Sequence, residues 1–250
     1  RLKDGSEGPN FERGIELRAK QTVFSEGCRG HLGKTLMEKF ELNSNNSPQT
    51  YGIGIKELWE VTPENSKPGS IMHTTGWPLD NETYGGSFLY HLDNNKVSIG
   101  FVIGLDYKNP YLSPYLEFQR FKHHPAIKKL LEGGRRINYG ARALNEGGVQ
   151  SLPKLTFPGG MLVGCEAGFL NVPKIKGTHL AMKSGMIAAQ SIFENIDKHD
   201  EISDFQTDIK QSWLWNELYK VRNIRPSFKW GFWKAIAYSC LLYTSPSPRD

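Results

Sequence analysis

Three cysteines in 250 residues, Cys28, Cys165 and Cys240, are too far apart and odd in number for a disulfide framework or a paired-cysteine metal site. A reducing compartment is the expected home of such a chain. No run of about 18 apolar residues occurs, which excludes a spanning helix on length but leaves attachment to a membrane surface open. There is no nucleophile elbow, HExxH or P-loop. His123-His124 point apart on a helix, with no cysteine or carboxylate set to complete a metal site, so a solvated or capping role is expected. Gly52-Ile53-Gly54 starts like a dinucleotide fingerprint, but Glu57 stands where the third glycine belongs and no helix follows. The opening run Arg1-Leu2-Lys3-Asp4-Gly5-Ser6 shows no signal or transit peptide. Without a secretory signal, the sequons Asn45-Asn46-Ser47 and Asn81-Glu82-Thr83 are read as chance matches.

What is present is a globular composition, 38% hydrophobic and 23% charged, with 26 glycines spread along the chain rather than in a repeat. This is enough to bury one large core or two smaller ones. The net charge of +5 is concentrated: Lys210, Lys220, Arg222, Arg225, Lys229 and Lys234 face the single acid Glu217 in one segment. Trp213, Trp215, Trp230 and Trp233, four of the six tryptophans, lie in that same segment. Amphipathic aromatics among Lys and Arg suit a membrane interface, and a buried aromatic cluster or protein interface is the alternative. A nucleic-acid role is the weakest reading of the basic pI, because no recognition motif accompanies it.

Along the chain, residues 20–27 read as a strand entering the glycine turn Gly27-Cys28-Arg29-Gly30, with a helix from Lys34 to Phe40. Strand-like runs follow at 51–61, 70–77, 86–92 and 96–105. Val97, Ile99, Phe101 and Ile103 alternate at period two, and Asp93-Asn94-Asn95 forms the turn between the last two runs, so an antiparallel sheet is expected. A helix over 115–131 is interrupted at Pro125. Met161-Leu162-Val163 reads as a buried strand. A helix over 178–196 follows, with Thr178 as N-cap and Met182, Ile187, Ala188, Ile192, Phe193 and Ile196 on its apolar face. Another helix over 204–222 carries Phe205, Ile209 and Trp213 in line until Pro226 stops it.

Two places can carry chemistry. Gly164-Cys165-Glu166-Ala167-Gly168 with Gly177-Thr178 forms a glycine loop at a helix N-terminus, which favours an electron-rich partner. A capped structural helix is the alternative. Tyr84-Gly85-Gly86-Ser87-Phe88-Leu89-Tyr90-His91 pairs glycines with aromatic walls, suiting a planar ligand such as a quinone. Here the alternative is that the glycines only start a hairpin strand.

Five strings together carry a family likeness. They are Phe24-Ser25-Glu26-Gly27-Cys28-Arg29-Gly30-His31-Leu32, Gly76-Trp77-Pro78-Leu79-Asp80, residues 84–92, residues 139–148 and residues 171–179. In this order they resemble the electron-transfer flavoprotein:ubiquinone oxidoreductases, from about Phe11 to Trp230. The resemblance implies a mixed α/β, FAD-dependent oxidoreductase fold of glutathione-reductase-like type, incomplete here, with an inserted antiparallel-sheet quinone-binding domain and helices on the membrane side. It implies FAD-domain segments at 1–48 and 136–203, a ubiquinone-binding domain at 49–135, a membrane-surface segment at 204–238 and a non-native tail at 239–250. Gly27, Gly30, Gly164, Cys165, Gly168, Gly177 and Thr178 are then expected at FAD, and Gly85 and Gly86 at ubiquinone. Trp213, Trp215, Arg222 and Arg225 are expected at the membrane. By the same likeness, electrons pass from electron-transfer flavoprotein through FAD and a [4Fe–4S] cluster to ubiquinone at the matrix side of the mitochondrial inner membrane. The FAD pyrophosphate fingerprint and the cluster's cysteine ligands are not in these residues, so the chain alone is expected to be inactive. A geranylgeranyl-reductase-like FAD enzyme and a non-catalytic membrane-surface module are the rival readings.

Overall fold

The computed structural model of the protein describes residues 1–198 and 200–244. Along the chain run β1 (Thr22–Phe24), α1 (His31–Lys39), β2 (Tyr51–Glu60), β3 (Ile71–Thr75), β4 (Gly85–Leu92), β5 (Lys96–Gly104), α2 (Pro114–Lys122) and α3 (Pro125–Leu131). Then come β6 (Arg135–Asn145), β7 (Thr156–Phe157), β8 (Gly160–Leu162), α4 (Gly164–Ala167) and α5 (Thr178–Asn195). The last helices are α6 (Asp204–Gln211), α7 (Trp213–Lys220), α8 (Ile224–Ser227) and α9 (Phe232–Thr244). The antiparallel sheet expected from the alternating pattern has the order β3-β4-β5-β2-β6, and Asn94 and Asn95 take left-handed conformations in the turn between β4 and β5. Its fifth strand, β6, extends the sheet past residue 135 to Asn145 and had no alternating signature to announce it. The smaller sheet has the order β1-β8-β7, with β1 and β8 parallel.

There are two hydrophobic cores. One packs Phe118, Phe121, Ile127 and Leu131 of α2 and α3 onto Val97, Ile99, Phe101 and Ile103 of β5. The other joins Met161 and Leu162 of β8 to Leu180 and Ala188 of α5, Phe205 and Ile209 of α6, and Leu214 and Leu218 of α7. Prolines open α2 and α3 at their first positions, where no N–H bond is lost. Ser113 accepts the Leu116 N–H at 3.4 Å, and His124 accepts the Ala126 N–H at 3.3 Å, so this histidine is a cap, as expected.

Several local expectations need correction. Gly177, not Thr178, is the N-cap of α5. The buried stripe of α5 is Leu180, Ser184, Ala188, Ser191 and Asn195, while Met182 and Phe193 face outward, Phe193 being 83% exposed. Small and hydroxylated residues form this stripe because α4 and α6 approach α5 closely: the Gly164 N–H reaches Ser184 Oγ at 2.9 Å, and Ser191 Oγ donates to Asp208 at 2.8 Å. The expected helix over 204–222 breaks at Ser212, whose backbone is extended and whose hydroxyl donates to the Ile209 carbonyl at 2.7 Å, capping α6 from its own side chain. Pro226 does not stop a helix but sits in the first turn of α8, where its missing N–H has no partner to lose. Of the expected tail at 239–250, residues up to Thr244 continue α9, and residues 245–250 lie outside the described residues.

Candidate functional site

The five-stranded sheet has two unlike faces, and its register makes them so. Cross-strand partners share a face, so Gly86 with Val102, Val102 with Gly54, Phe88 with Gly100, and Gly52 with Gly104 and Leu144 all lie on the side opposite the α2–α3 core. That face is largely bare backbone. A Cβ on Gly100 would overlap the Phe88 ring, which lies flat across the strand. Ile224 and Phe228 of the α8 region, Ile236 of α9, and Leu170, Val172 and Ile175 of the connection before α5 close over the sheet. Between them is a mainly apolar slot of about 400 Å³. Gly85 and Gly86 both line it, but they differ in role. Gly86 belongs to the slot face, whereas Gly85 is partnered with Ile103 on the core side, and a Cβ there would come within 2.5 Å of Leu79 Cδ1 and the Val102 carbonyl.

A largely buried charged cluster borders the slot on the side away from His73, Thr74 and Ser87. Glu146, 1% exposed in its side chain, accepts from Arg225 Nε at 3.2 Å. Arg225 Nη2 also donates to both oxygens of Asp106, at 2.8 and 3.0 Å. The guanidinium lies 4.1 Å from the Tyr84 ring centroid, and Tyr84 meets Phe228 edge-on at 4.6 Å. Burial pushes the Glu146 carboxyl up, Arg225 opposes this and Asp106 adds to it, leaving the group at about 7. Burial and the Glu146 charge likewise raise the Tyr84 phenol, keeping it neutral.

The glycine loops meet elsewhere, beyond the C-terminal ends of parallel β1 and β8, where α/β proteins place their ligands. Gly27, Gly164 and Gly168 all have positive φ. The Glu26 carboxylate accepts the Gly33 N–H of α1 at 3.0 Å, and Glu166 packs so closely over Gly30 and Gly33 that a Cβ on either would overlap it. The first turn of α5 packs on Gly164, with Ala181 Cβ at 3.4 Å from where a glycine Cβ would stand. Burial raises both the Cys28 and Cys165 thiols, which favours their protonated form.

Known proteins resemble this chain in sequence and in fold. Residues 51–144, which hold nearly the whole sheet, match the family described as ETF-QO, ubiquinone-binding. The human mitochondrial electron transfer flavoprotein-ubiquinone oxidoreductase is 61% identical over 235 residues, covering 90% of this chain and 38% of the human protein. The Oryza sativa subsp. japonica protein of the same name is 52% identical over 241 residues, covering 96% of this chain and 42% of its own length. This chain belongs to that family. It spans about two fifths of the length of the curated relatives it matches. Solved structures share the fold at low identity. A geranylgeranyl bacteriochlorophyll reductase-like protein from Thermoplasma acidophilum superposes with a TM-score of 0.68 at 18% identity, over 90% of this chain and 54% of that one. A triple mutant of the flavin-dependent brominase Bmp2 gives 0.59 at 18% identity, over 94% and 56%.

In this member of the electron transfer flavoprotein-ubiquinone oxidoreductase family, the residues expected at FAD fall into one neighbourhood. Gly27 and Gly30 lie on the β1 side, Gly164, Cys165 and Gly168 on the β8 side, and Gly177 and Thr178 at the start of α5. Their fit to a flavin nucleotide has a specific character. Glu166 Oε2 is buried with no hydrogen-bond partner, so it is an acceptor suited to a sugar or ribityl hydroxyl. Burial and the neighbouring Glu26 raise the Glu166 carboxyl, so this spot suits a neutral hydroxyl rather than a phosphate. When bound, FAD would supply one- and two-electron chemistry that no side chain can.

The residues expected at the membrane separate. Trp213 is exposed and stacks on His179 at 5.9 Å. Arg222 covers the Tyr219 ring at 3.7 Å. Trp215 instead packs against the core of β8, α5 and α6. Arg225, only 11% exposed in its side chain, points inward because two carboxylates near the slot need a cation. Glu146 and Asp106 were not singled out from the sequence, since nothing in the chain order of residues 106, 146 and 225 brings them together.

Proposed function

We propose that this chain forms the ubiquinone-reducing part of an electron transfer flavoprotein-ubiquinone oxidoreductase. It takes electrons from reduced electron transfer flavoprotein, through FAD and a [4Fe–4S] cluster whose ligands lie outside these residues, and delivers them to ubiquinone in the slot on the glycine face of the sheet. The carrying observation is the slot itself, apolar, about 400 Å³, walled by Phe88 and Phe228 and floored by backbone, within the stretch that matches the ubiquinone-binding family. A quinone head group is flat and largely apolar, and strand backbone stripped of side chains lets such a ring approach the sheet closely.

In this reading β1, β8, α4 and α5 form the FAD-binding side, and the five-stranded sheet is the inserted quinone-binding unit. Helices α7 to α9 rest on the matrix face of the mitochondrial inner membrane. Support for the last point is that Trp213, Tyr219, Trp230, Trp233 and Leu241 are exposed in a segment that also exposes Lys229 and Lys234. No helix among the described residues is long and apolar enough to cross a membrane. Ubiquinone carries a long apolar tail, and a slot roofed by α8 and α9 lets that tail remain in lipid while the head group enters the protein.

The experiment is Val102→Trp in the full-length enzyme. Val102 lies on the slot face between Gly86 and Gly54, so an indole there fills the slot. Substituting the glycines is less informative, because a Cβ on Gly85 or Gly86 meets a neighbouring strand's carbonyl at 2.5 Å. Ubiquinone reduction by reduced electron transfer flavoprotein should be lost, while bound flavin and its reduction are retained. Undiminished ubiquinone reduction would move the quinone elsewhere.

A further inference from the structure

The slot is mainly apolar; its polar groups are His73, Thr74, Thr75 and Ser87 on the β3–β4 side, Ser239 of α9, and at another edge Tyr84 and a buried carboxylate, Glu146. Reduction of a quinone to a quinol adds two electrons and two protons, so protons must arrive at oxygens held away from bulk water. We propose that Glu146 is the acid that protonates a ubiquinone oxygen during its reduction in the slot. This rests on the slot being the ubiquinone site, as argued above.

Two features of the structure support it. Space has been made for this carboxylate on the glycine face of the sheet, beside the slot: a Cβ on Gly52 would overlap Glu146 Oε1, and one on Gly104 would come within 3.2 Å of Oε2. The charge count around it is also incomplete. Arg225 is shared by Glu146 and Asp106, and it gives Asp106 two hydrogen bonds and Glu146 one. A single guanidinium cannot neutralise two carboxylates, and of the two Glu146 is the buried one, while Asp106 is 44% exposed in its side chain. Of the two carboxyls, Glu146 is therefore the one that takes up a proton near neutral pH, consistent with its being pushed up to about 7. Tyr84, Asp106 and Arg225 are the ionisable groups that act on it directly, while His73 of β3 lines the same slot and Arg222 the adjoining crevice. The segments packed against it from β2 and from residues 170–173 present Gly52, Leu170, Val172 and Pro173.

In the step, electrons reach the quinone from the flavoprotein donor through the enzyme's redox cofactors. The Glu146 O–H bond breaks as an O–H bond forms on the quinone oxygen, and the carboxylate left behind is held by Arg225. Glu146 regains a proton from water, and the second proton of the quinol comes from solvent. Because the protonated acid is the active form, turnover limited by this step falls as pH rises through about 7.

The test is the pH profile of ubiquinone reduction by the full-length holoenzyme, alongside binding of a short-chain ubiquinone and reduction of a soluble one-electron acceptor that needs no proton. With Glu146→Gln, kcat for ubiquinone should drop by about 10²-fold or more and the alkaline break near 7 should vanish, with quinone binding and the soluble acceptor unaffected. Glu146→Asp should restore part of the rate and shift the break. Ubiquinone bound and reduced by the Gln variant at wild-type rate, with its break intact, would overturn the proton role and leave the slot standing. Undiminished ubiquinone reduction by the Val102→Trp variant would remove the slot and this role together. Should the Gln variant not fold, the wild-type enzyme decides: no break between pH 6 and 8 and no slowing of ubiquinone reduction in heavy water overturn the proposal.

Discussion

Replacing Glu57 with Gln tests how the sheet is fastened to its helices. Glu57 lies on the core face of β2, 2% exposed in its side chain, and receives Lys122 of α2 at 2.9 and 2.8 Å, Arg136 of β6 at 3.2 Å and the Trp59 indole N–H at 2.8 Å. Burial alone would raise its carboxyl, but the hydrogen bonds from Lys122 and Trp59 and the Lys122 charge outweigh burial and hold it below the ordinary value of 4.5. Removing one partner of a buried pair costs about 3–5 kcal/mol because the other charge is stranded. Two features reduce that here. Arg136 is 44% exposed and stays solvated, and Lys122 keeps the faces of Phe118 and Trp59 at 5.0 and 5.6 Å. The expected loss is about 2–4 kcal/mol at pH 7, read by urea unfolding. Since the folded-state pKa is lowered, the contribution is present above the unfolded value and lost as pH falls through the folded one. The gap between wild type and variant should therefore close on acidification below about 4.5. Adding Lys122→Met should recover most of the loss. An unchanged urea midpoint, or a gap that widens in acid, would refute the reasoning.

Gly100→Ala places a methyl in the Phe88 ring and should destabilise the protein by about 1–3 kcal/mol while weakening ubiquinone binding, measured by urea unfolding and by KM. Phe205→Ala empties a fully buried site and should cost about 3–5 kcal/mol, whereas Phe193→Ala on the outer face of α5 should stay within about 0.5 kcal/mol in the same assay. The stability difference between wild type and Glu146→Gln should drift against the wild type as pH rises. The Glu146 carboxyl is raised from 4.5 to about 7, so its contribution is full below 4.5 and lost by about 7, a change of about 3 kcal/mol, and parallel pH–stability curves would contradict it.

The sequence by itself determined what depends on near neighbours. The period-two pattern of Val97 to Ile103 specified a strand with one buried face, and the prolines at 114 and 125 opened helices as their missing N–H dictates. The glycine loops after β1 and β8 were legible because positive φ demands glycine whatever the surroundings. Long, unusual strings of residues carried the family likeness for the same reason, since they need no partner from elsewhere in the chain. Properties that depend on the pairing of distant segments were not legible. The α5 stripe was misread because Ser184 and Ser191 are buried by partners on α4 and α6, which hydropathy cannot register. Strand β6 is one because β2 offers it a partner, not because its residues alternate. Only the register of three strands sorts Gly52, Gly54, Gly86, Gly100 and Gly104 onto one face and leaves Gly85 on the other. Arg225 read as a surface cation from its basic, tryptophan-rich neighbourhood. Tertiary structure alone turned it inward, because Asp106 and Glu146 converge beneath α8 and their charge has to be met there.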